Sequence, residues 1–211
     1  MAWELRLVED TLRAGAALML PADGMHRVCY VVHGSVSVAG ESFADDSAWH
    51  GRGAATLRAG VHGAALWRFE LAPTGSAVVP AEGRTLTKLS TPIALPSPAL
   101  LRADSVAFPA GGCAFLHTHQ GPGIRCLLEG GIRIDTDGHS TSYAPGAAWF
   151  ESGPEPVFAQ AAARASRFIR VMVLPAALLG KSSIAYVRDE DRAKPKSQSY
   201  KGYVDAPISL D

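Results

Sequence analysis

The sequence predicts an all-β protein built from two similar units, and three observations carry that expectation. Gly (21) and Pro (14) are spread along the 211 residues and punctuate short apolar runs, the pattern of many short strands joined by turns. Amphipathic helix signals are few; the best is Pro175–Gly180, with Pro at its start and Gly at its end. Finally, three blocks recur in the same order. CYVVHGSVSVAGES at Cys29–Ser42 resembles RCLLEGGIRIDTDGHS at Arg125–Ser140, SAWHGRG at Ser47–Gly53 resembles AAWFESG at Ala147–Gly153, and ALWRFELAP near Leu66–Pro73 resembles RFIRVMVLP at Arg167–Pro175. The offset drifts from 96 to about 100 residues, as loop insertions produce.

Taken in order, the candidate strands are Ala16–Leu20, Arg27–Val32, Ser35–Ala39 and Ala65–Leu71 in the first unit. In the second they are Ser105–Phe108, Ala114–His119, Ile124–Leu128, Gly131–Thr136, Ala148–Phe150 and Phe168–Leu174. The units are therefore placed at 1–75 and 97–175, with a Pro-, Thr- and Ser-rich linker at 76–96. Residues 176–211 form a short helix and an extended arm, too polar for a core of its own, that lies over the domain or over a partner subunit.

Composition narrows the function classes. Lys+Arg and Asp+Glu both number 20, so the formal net charge is zero, which argues against nucleic acid as a partner. No apolar run reaches membrane-spanning length, and MAWELRLVED lacks the apolar core of a signal peptide. Cys29, Cys113 and Cys126 are odd in number and form no CxxC, which reads as reduced, mostly buried thiols in a cytoplasmic protein. Neither a P-loop nor a GxSxG elbow occurs.

The chemistry concentrates in HTHQGPGIRCLLEGG, His117–Gly131. Alternate residues of a strand share a face, so His117 and His119 point the same way. Two neutral imidazoles make an incomplete metal site: catalytic zinc takes three protein ligands plus water, and non-heme iron(II) takes two His and a carboxylate. Glu151 in WFESG is the first choice for the carboxylate and Glu155 the second; Gln120, next to His119, should face away. The competing reading has the two imidazoles simply hydrogen-bonded in the interior. Arg125 shares parity with position 123 and either anchors a substrate carboxylate or enolate or pairs with an acid such as Glu151. Phe115, Leu127, Trp149 and Phe158 are expected to line the interior, and Glu129 to occupy a surface turn.

These residues resemble the cupin superfamily. Its first motif runs Gly, five residues, His-x-His, three or four residues, Glu, six residues, Gly. Gly111, His117-Thr-His119, Gly123 and Gly130 fit that spacing, with Gly123 where the Glu would stand. The resemblance implies two tandem jelly-roll barrels, a bicupin whose C-terminal unit carries the motif and whose N-terminal unit is degenerate. In the N-terminal unit the two His positions fall near Pro21 and Asp23, so that barrel is expected to be metal-free. The family's third His falls at about Pro156 or Val157, neither a metal ligand. HTHQGP…LLEG followed by WFESG is also similar to cupin dioxygenases that cleave diketones and aryl ketones at a three-histidine iron site.

The resulting expectation is a metal-dependent, dioxygenase-like enzyme acting on a small oxygenated or carboxylated compound. His117, His119 and Glu151 would hold a divalent ion (iron, manganese, zinc or nickel), with Arg125 and Glu151 in catalytic roles. The alternative is a non-catalytic small-molecule-binding or structural bicupin. A homodimer is expected from the Pro- and Tyr-containing tail and from the strand edges such folds must cover.

Overall fold

The computed structural model describes residues 2–209. The chain divides into two compact units, Met1–Ala94 and Leu95–Asp211.

In the first unit the strands are β1 (Trp3–Leu12), β2 (Ala17–Leu20), β3 (His26–Val38), β4 (Glu41–Ala44), β5 (Ala48–Arg52), β6 (Ala55–Pro73) and β7 (Gly83–Ile93). One sheet runs β4-β3-β6-β1-β7, with β5 also on β3 and β2 also on β6. β3 and β6 are long strands interrupted by bulges at Val31/His33 and Gly34/Val36, so the two short strands expected at Arg27–Val32 and Ser35–Ala39 are one bent strand.

The second unit contains β8 (Ala99–Phe108), β9 (Cys113–His119), β10 (Gly123–Glu129), β11 (Ile132–Thr136), β12 (His139–Tyr143), β13 (Ala148–Glu151), β14 (Val157–Ala161), β15 (Ser166–Pro175), β16 (Ile184–Tyr186) and β17 (Ser199–Ile208). It has two sheets, β13-β10-β15-β8-β17 and β12-β11-β14-β9-β16, both antiparallel and open. Between them sits an apolar core that includes Val106, Phe108, Leu127, Ile134, Trp149 and Phe168.

The two units share a strand order: β5-β3-β6-β1-β7 in the first matches β13-β10-β15-β8-β17 in the second. The aligned glycines have one shared reason. Gly34 and Gly130 both hold positive φ (+84° and +80°), and a Cβ on either would meet a carbonyl oxygen of the facing segment, at 2.2 Å and 2.1 Å.

Three boundaries differ from the sequence reading. Residues 83–93, placed in a linker, form β7, which pairs with β1. The helix expected at Pro175–Gly180 is a single 3-10 turn, Ala176–Leu178; among the described residues the one short α-helix, α1 (Asp189–Ala193), lies further on. The extended arm is an ordered strand: β17 pairs along β8 from Ser199↔Ala107 to Ile208↔Ala99. β1 was missed because it is buried on both faces and carries Arg6 and Asp10 inside, so its pattern does not alternate apolar with polar.

Candidate functional site

The site forms where β9, β10 and β13 bring one end of the second unit's interior together. His117 and His119 share the interior face of β9, and both are buried. A bulge between β9 and β14 lies just before them, since Val157 pairs with His117 but Ala159 with Ala114. It displaces the side-chain parity of β9, so Phe115, expected inside, faces outward beneath Lys194 and Lys196. Phe158, also expected inside, is only partly buried, whereas Leu127 and Trp149 are in the core. The Phe115 carbonyl accepts a hydrogen bond from His117 Nδ1 at 2.6 Å. That bond sets the tautomer and leaves a lone pair on His117 Nε2.

The two Nε2 atoms face each other at 3.2 Å. Glu151 Oε2 lies 3.1 Å from His119 Nε2, and Arg125 Nη2 lies 2.8 Å from the same oxygen. Trp149 Nε1 donates to Glu151 Oε1 at 2.8 Å, and Arg125 Nη1 donates to the Gly123 carbonyl at 2.6 Å. Arg125 thus takes the pairing role that the sequence left open beside the substrate role. Gly123, where the family motif has Glu, has no room for a side chain. A Cβ there would lie 2.6 Å from Met172 Cγ, 2.7 Å from the Val171 carbonyl oxygen and 3.1 Å from Arg125 Nη1.

Glu155 is exposed and bonded by Ser152, away from the site, and Gln120 is exposed. Sequence reasoning missed Asp104 and Arg170. Buried Arg170 donates to Asp104 through Nε (2.9 Å) and Nη2 (2.7 Å), and its guanidinium carbon lies 5.9 Å from the Tyr200 ring centre. The available signal was a lone Arg inside the apolar run RFIRVMVLP.

Burial sets the protonation states. Desolvation lowers the pKa of His117 and brings that of His119 down to about 3, despite the opposing bond from Glu151, so both rings are neutral at pH 7. Burial alone would raise the Glu151 pKa, but the Arg125 charge, the close approach of His119 and the Trp149 hydrogen bond outweigh it and hold the carboxyl well below its usual range. Desolvation brings Arg125 down to about 10, still a cation at neutral pH.

Among the described residues, no group of three or more His, Cys, Asp or Glu side chains is placed as it stands to hold a metal ion. The donor set is nonetheless suited to a small cation. Both imidazoles are neutral, Glu151 is ionised, and together with apolar residues such as Val106, Ile134 and Phe168 they line a space of about 20 Å³, room for one ion or water. Three buried polar atoms around it have no directed hydrogen bond: His119 Nδ1, Arg125 Nη2 and Glu151 Oε2. The Arg125–Glu151 contact is therefore an ion pair rather than an aligned hydrogen bond, and Oε2 keeps acceptor capacity.

No protein-family model matches the chain, and no curated protein matches it in sequence. Solved structures do match in shape. Oxalate decarboxylase from Bacillus subtilis superposes with a TM-score of 0.62 at 13% identity, over 83% of this chain and 72% of that one. A second oxalate decarboxylase structure from B. subtilis, one concerned with its Mn(II) centres, gives 0.64 at 12% identity over 94% and 81%. A cupin 2 conserved barrel domain protein from Leptotrichia buccalis gives 0.52 at 14% over 82% and 84%. The fold is the cupin fold. Within it, the two histidines share the interior face of β9, and Gly123 is packed against β15. No helix is long and apolar enough to cross a membrane.

Proposed function

We propose that the chain is a bicupin, two tandem jelly-roll barrels with a C-terminal arm, whose second barrel binds one divalent metal ion and acts as a dioxygenase-like enzyme on a small oxygenated or carboxylated compound. The observation that carries this reading is the clustering of three donor atoms, His117 Nε2, His119 Nε2 and Glu151 Oε2, at successive separations of 3.2 Å and 3.1 Å on the wall of a small interior space. Two imidazoles and a carboxylate are a recognised set for iron(II) and related ions. The manganese centres named for one structural neighbour, oxalate decarboxylase, support a divalent ion in general. The shared strand order of the two units supports the tandem arrangement.

When bound, the ion would supply Lewis-acid polarisation of a chelating substrate oxygen. The chain's own residues do the rest. Phe115 O holds the His117 ring in the ligating tautomer. Trp149 fixes one Glu151 oxygen and so orients the other. Arg125 balances the Glu151 charge and keeps it ionised.

One observation favours a second reading, a non-catalytic cupin without metal. The Arg125 guanidinium already neutralises Glu151, as an ion would. Metal analysis separates the two. Untagged protein incubated with iron(II), manganese(II) or zinc(II) and then desalted is expected to keep about one equivalent, lost in His117→Ala. No retained metal in either protein leaves the metal-free reading. Homodimerisation belongs to the same proposal, and a monomeric mass by light scattering would contradict it.

A further inference from the structure

The one-ion space cannot hold an organic molecule, but a larger cavity of about 450 Å³ adjoins it in the second unit. Arg170, Ile184 and Tyr200 line both. The larger cavity lies between β8, β17 and the segment 180–186, and its volume is in the range of small-molecule sites.

Its charges do not cancel. Arg102 is matched by Asp205 (2.9 Å and 3.2 Å) and Arg170 by Asp104. Lys181 and Lys196 line the same cavity, and neither pairs with a carboxylate among the described residues. Lys196 Nζ donates to main-chain carbonyls, including that of Lys194 at 2.7 Å, and sits 4.3 Å from the Tyr186 ring centre. The Lys181 side chain is exposed while its own carbonyl is pinned by Arg102 at 2.7 Å. A second observation points to a ligand. Gln198, also lining the cavity and only 8% exposed, donates from Nε2 to Tyr200 Oη at 3.2 Å, but its Oε1 has no donor. A buried amide oxygen left unbonded is costly, and because Oε1 is shielded from solvent, a ligand hydroxyl would relieve it by drawing the amide outward.

We infer that this cavity binds a hydroxylated organic carboxylate, with its anionic end toward Lys181 and Lys196, its body against Tyr186 and Tyr200, and its hydroxyl toward Gln198. This deepens the preceding proposal by naming the substrate class, and it rests on that proposal only in treating the second unit as a small-molecule site. Arg170, at the shared wall, would set which end of the ligand meets the histidine cluster.

The test is calorimetric titration of full-length protein with 4-hydroxybenzoate, benzoate, glycolate and the uncharged 4-hydroxybenzyl alcohol, before and after chelation. The hydroxylated carboxylates are expected to bind, benzoate more weakly than 4-hydroxybenzoate, and the alcohol not. Lys181→Glu, an exposed change that leaves the core untouched, should weaken carboxylate binding at least about tenfold. Val204→Trp should fill the cavity and abolish binding in protein whose circular dichroism is unchanged. Binding that survives chelation supports the inference whether or not the protein holds metal. The inference fails if no carboxylate binds below about 10 mM, if the alcohol binds equally well, or if binding disappears on chelation and ignores Lys181→Glu.

Discussion

The same stretch of fold is built with different chemistry in the two units, and the contrast separates a structural charge network from a candidate site. In the second unit Gly123 faces Glu151 and Arg125 faces Trp149 across β10 and β13. At the matching register of β3 and β5, Arg27 faces Gly51 and Cys29 faces Trp49. The carboxylate has moved: a Cβ on Gly51 would lie 2.2 Å from the Trp49 ring, and the first unit instead supplies Glu70 from β6. Glu70 accepts from Arg6 Nε (2.5 Å), Arg27 Nε (2.9 Å) and Arg68 Nη1 (2.5 Å), and Arg68 also grips Asp10. None of the buried nitrogens and oxygens of that network is left without a hydrogen bond, whereas the cluster around His119, Arg125 and Glu151 leaves three, two of them joined in the Arg125–Glu151 ion pair. A fully satisfied buried network holds a fold together; a partly satisfied one around a void is where something else can bind.

The largest effect expected from this comparison is on the closed side. Glu70→Ala would take the shared carboxylate from three buried guanidiniums, leaving each with one acid (Glu4, Asp23 or Asp10), and should cost about 5 kcal/mol in urea unfolding. Glu151→Ala strands one, Arg125, and should cost about 3 kcal/mol. If the two changes cost the same, the distinction between the networks collapses.

Next comes pH. The folded-state pKa values of His117 and His119 lie below the usual 6.5, so between 6.5 and the folded values the unfolded chain binds more protons. Stability of metal-stripped protein should therefore fall as pH drops below 6.5, continuing toward about 3 for His119, by at most about 1.4 kcal/mol per pH unit for each ring. Glu151, with its depressed pKa, adds its own loss only at the acid end. Chemical unfolding from pH 7 to pH 4 should show a shallower decline in His119→Gln.

A similar but opposite-signed change is expected of Arg125→Met. Removing the guanidinium frees Glu151 and should tighten divalent-metal binding about tenfold in competition titrations. Weaker binding would mean that Arg125 holds Glu151 in place for the ion rather than competing with it. Smallest of all, Glu155→Ala, on the surface, should change neither metal content nor stability beyond about 0.5 kcal/mol.

Much of this was readable from the sequence, for physical reasons. The His117/His119 face follows from strand periodicity, and Glu151 was reachable because the Trp49/Trp149 blocks mark equivalent strands. What hid were elements whose interior residues are charged. β1, with Arg6 and Asp10 buried, does not look amphipathic, and β7 is largely polar because it forms one edge of its sheet. The outward turn of Phe115 was invisible because a bulge changes parity without any residue type announcing it. Arg68 and Arg170 stand at aligned positions of the third repeated block, and each grips an aspartate in its own unit. Their shared place inside an apolar run was the available clue to Arg170.

The pairing of β17 with β8 joins segments nearly a hundred residues apart in the chain. Contacts of such long sequence separation form late, because the intervening loop must first be closed. By that argument the wall bearing Gly202, Val204 and Asp205 is expected among the last parts of the second unit to assemble. A molecule that lodges against that wall favours the docked strand over the detached one, so occupancy and completion of the sheet are thermodynamically linked.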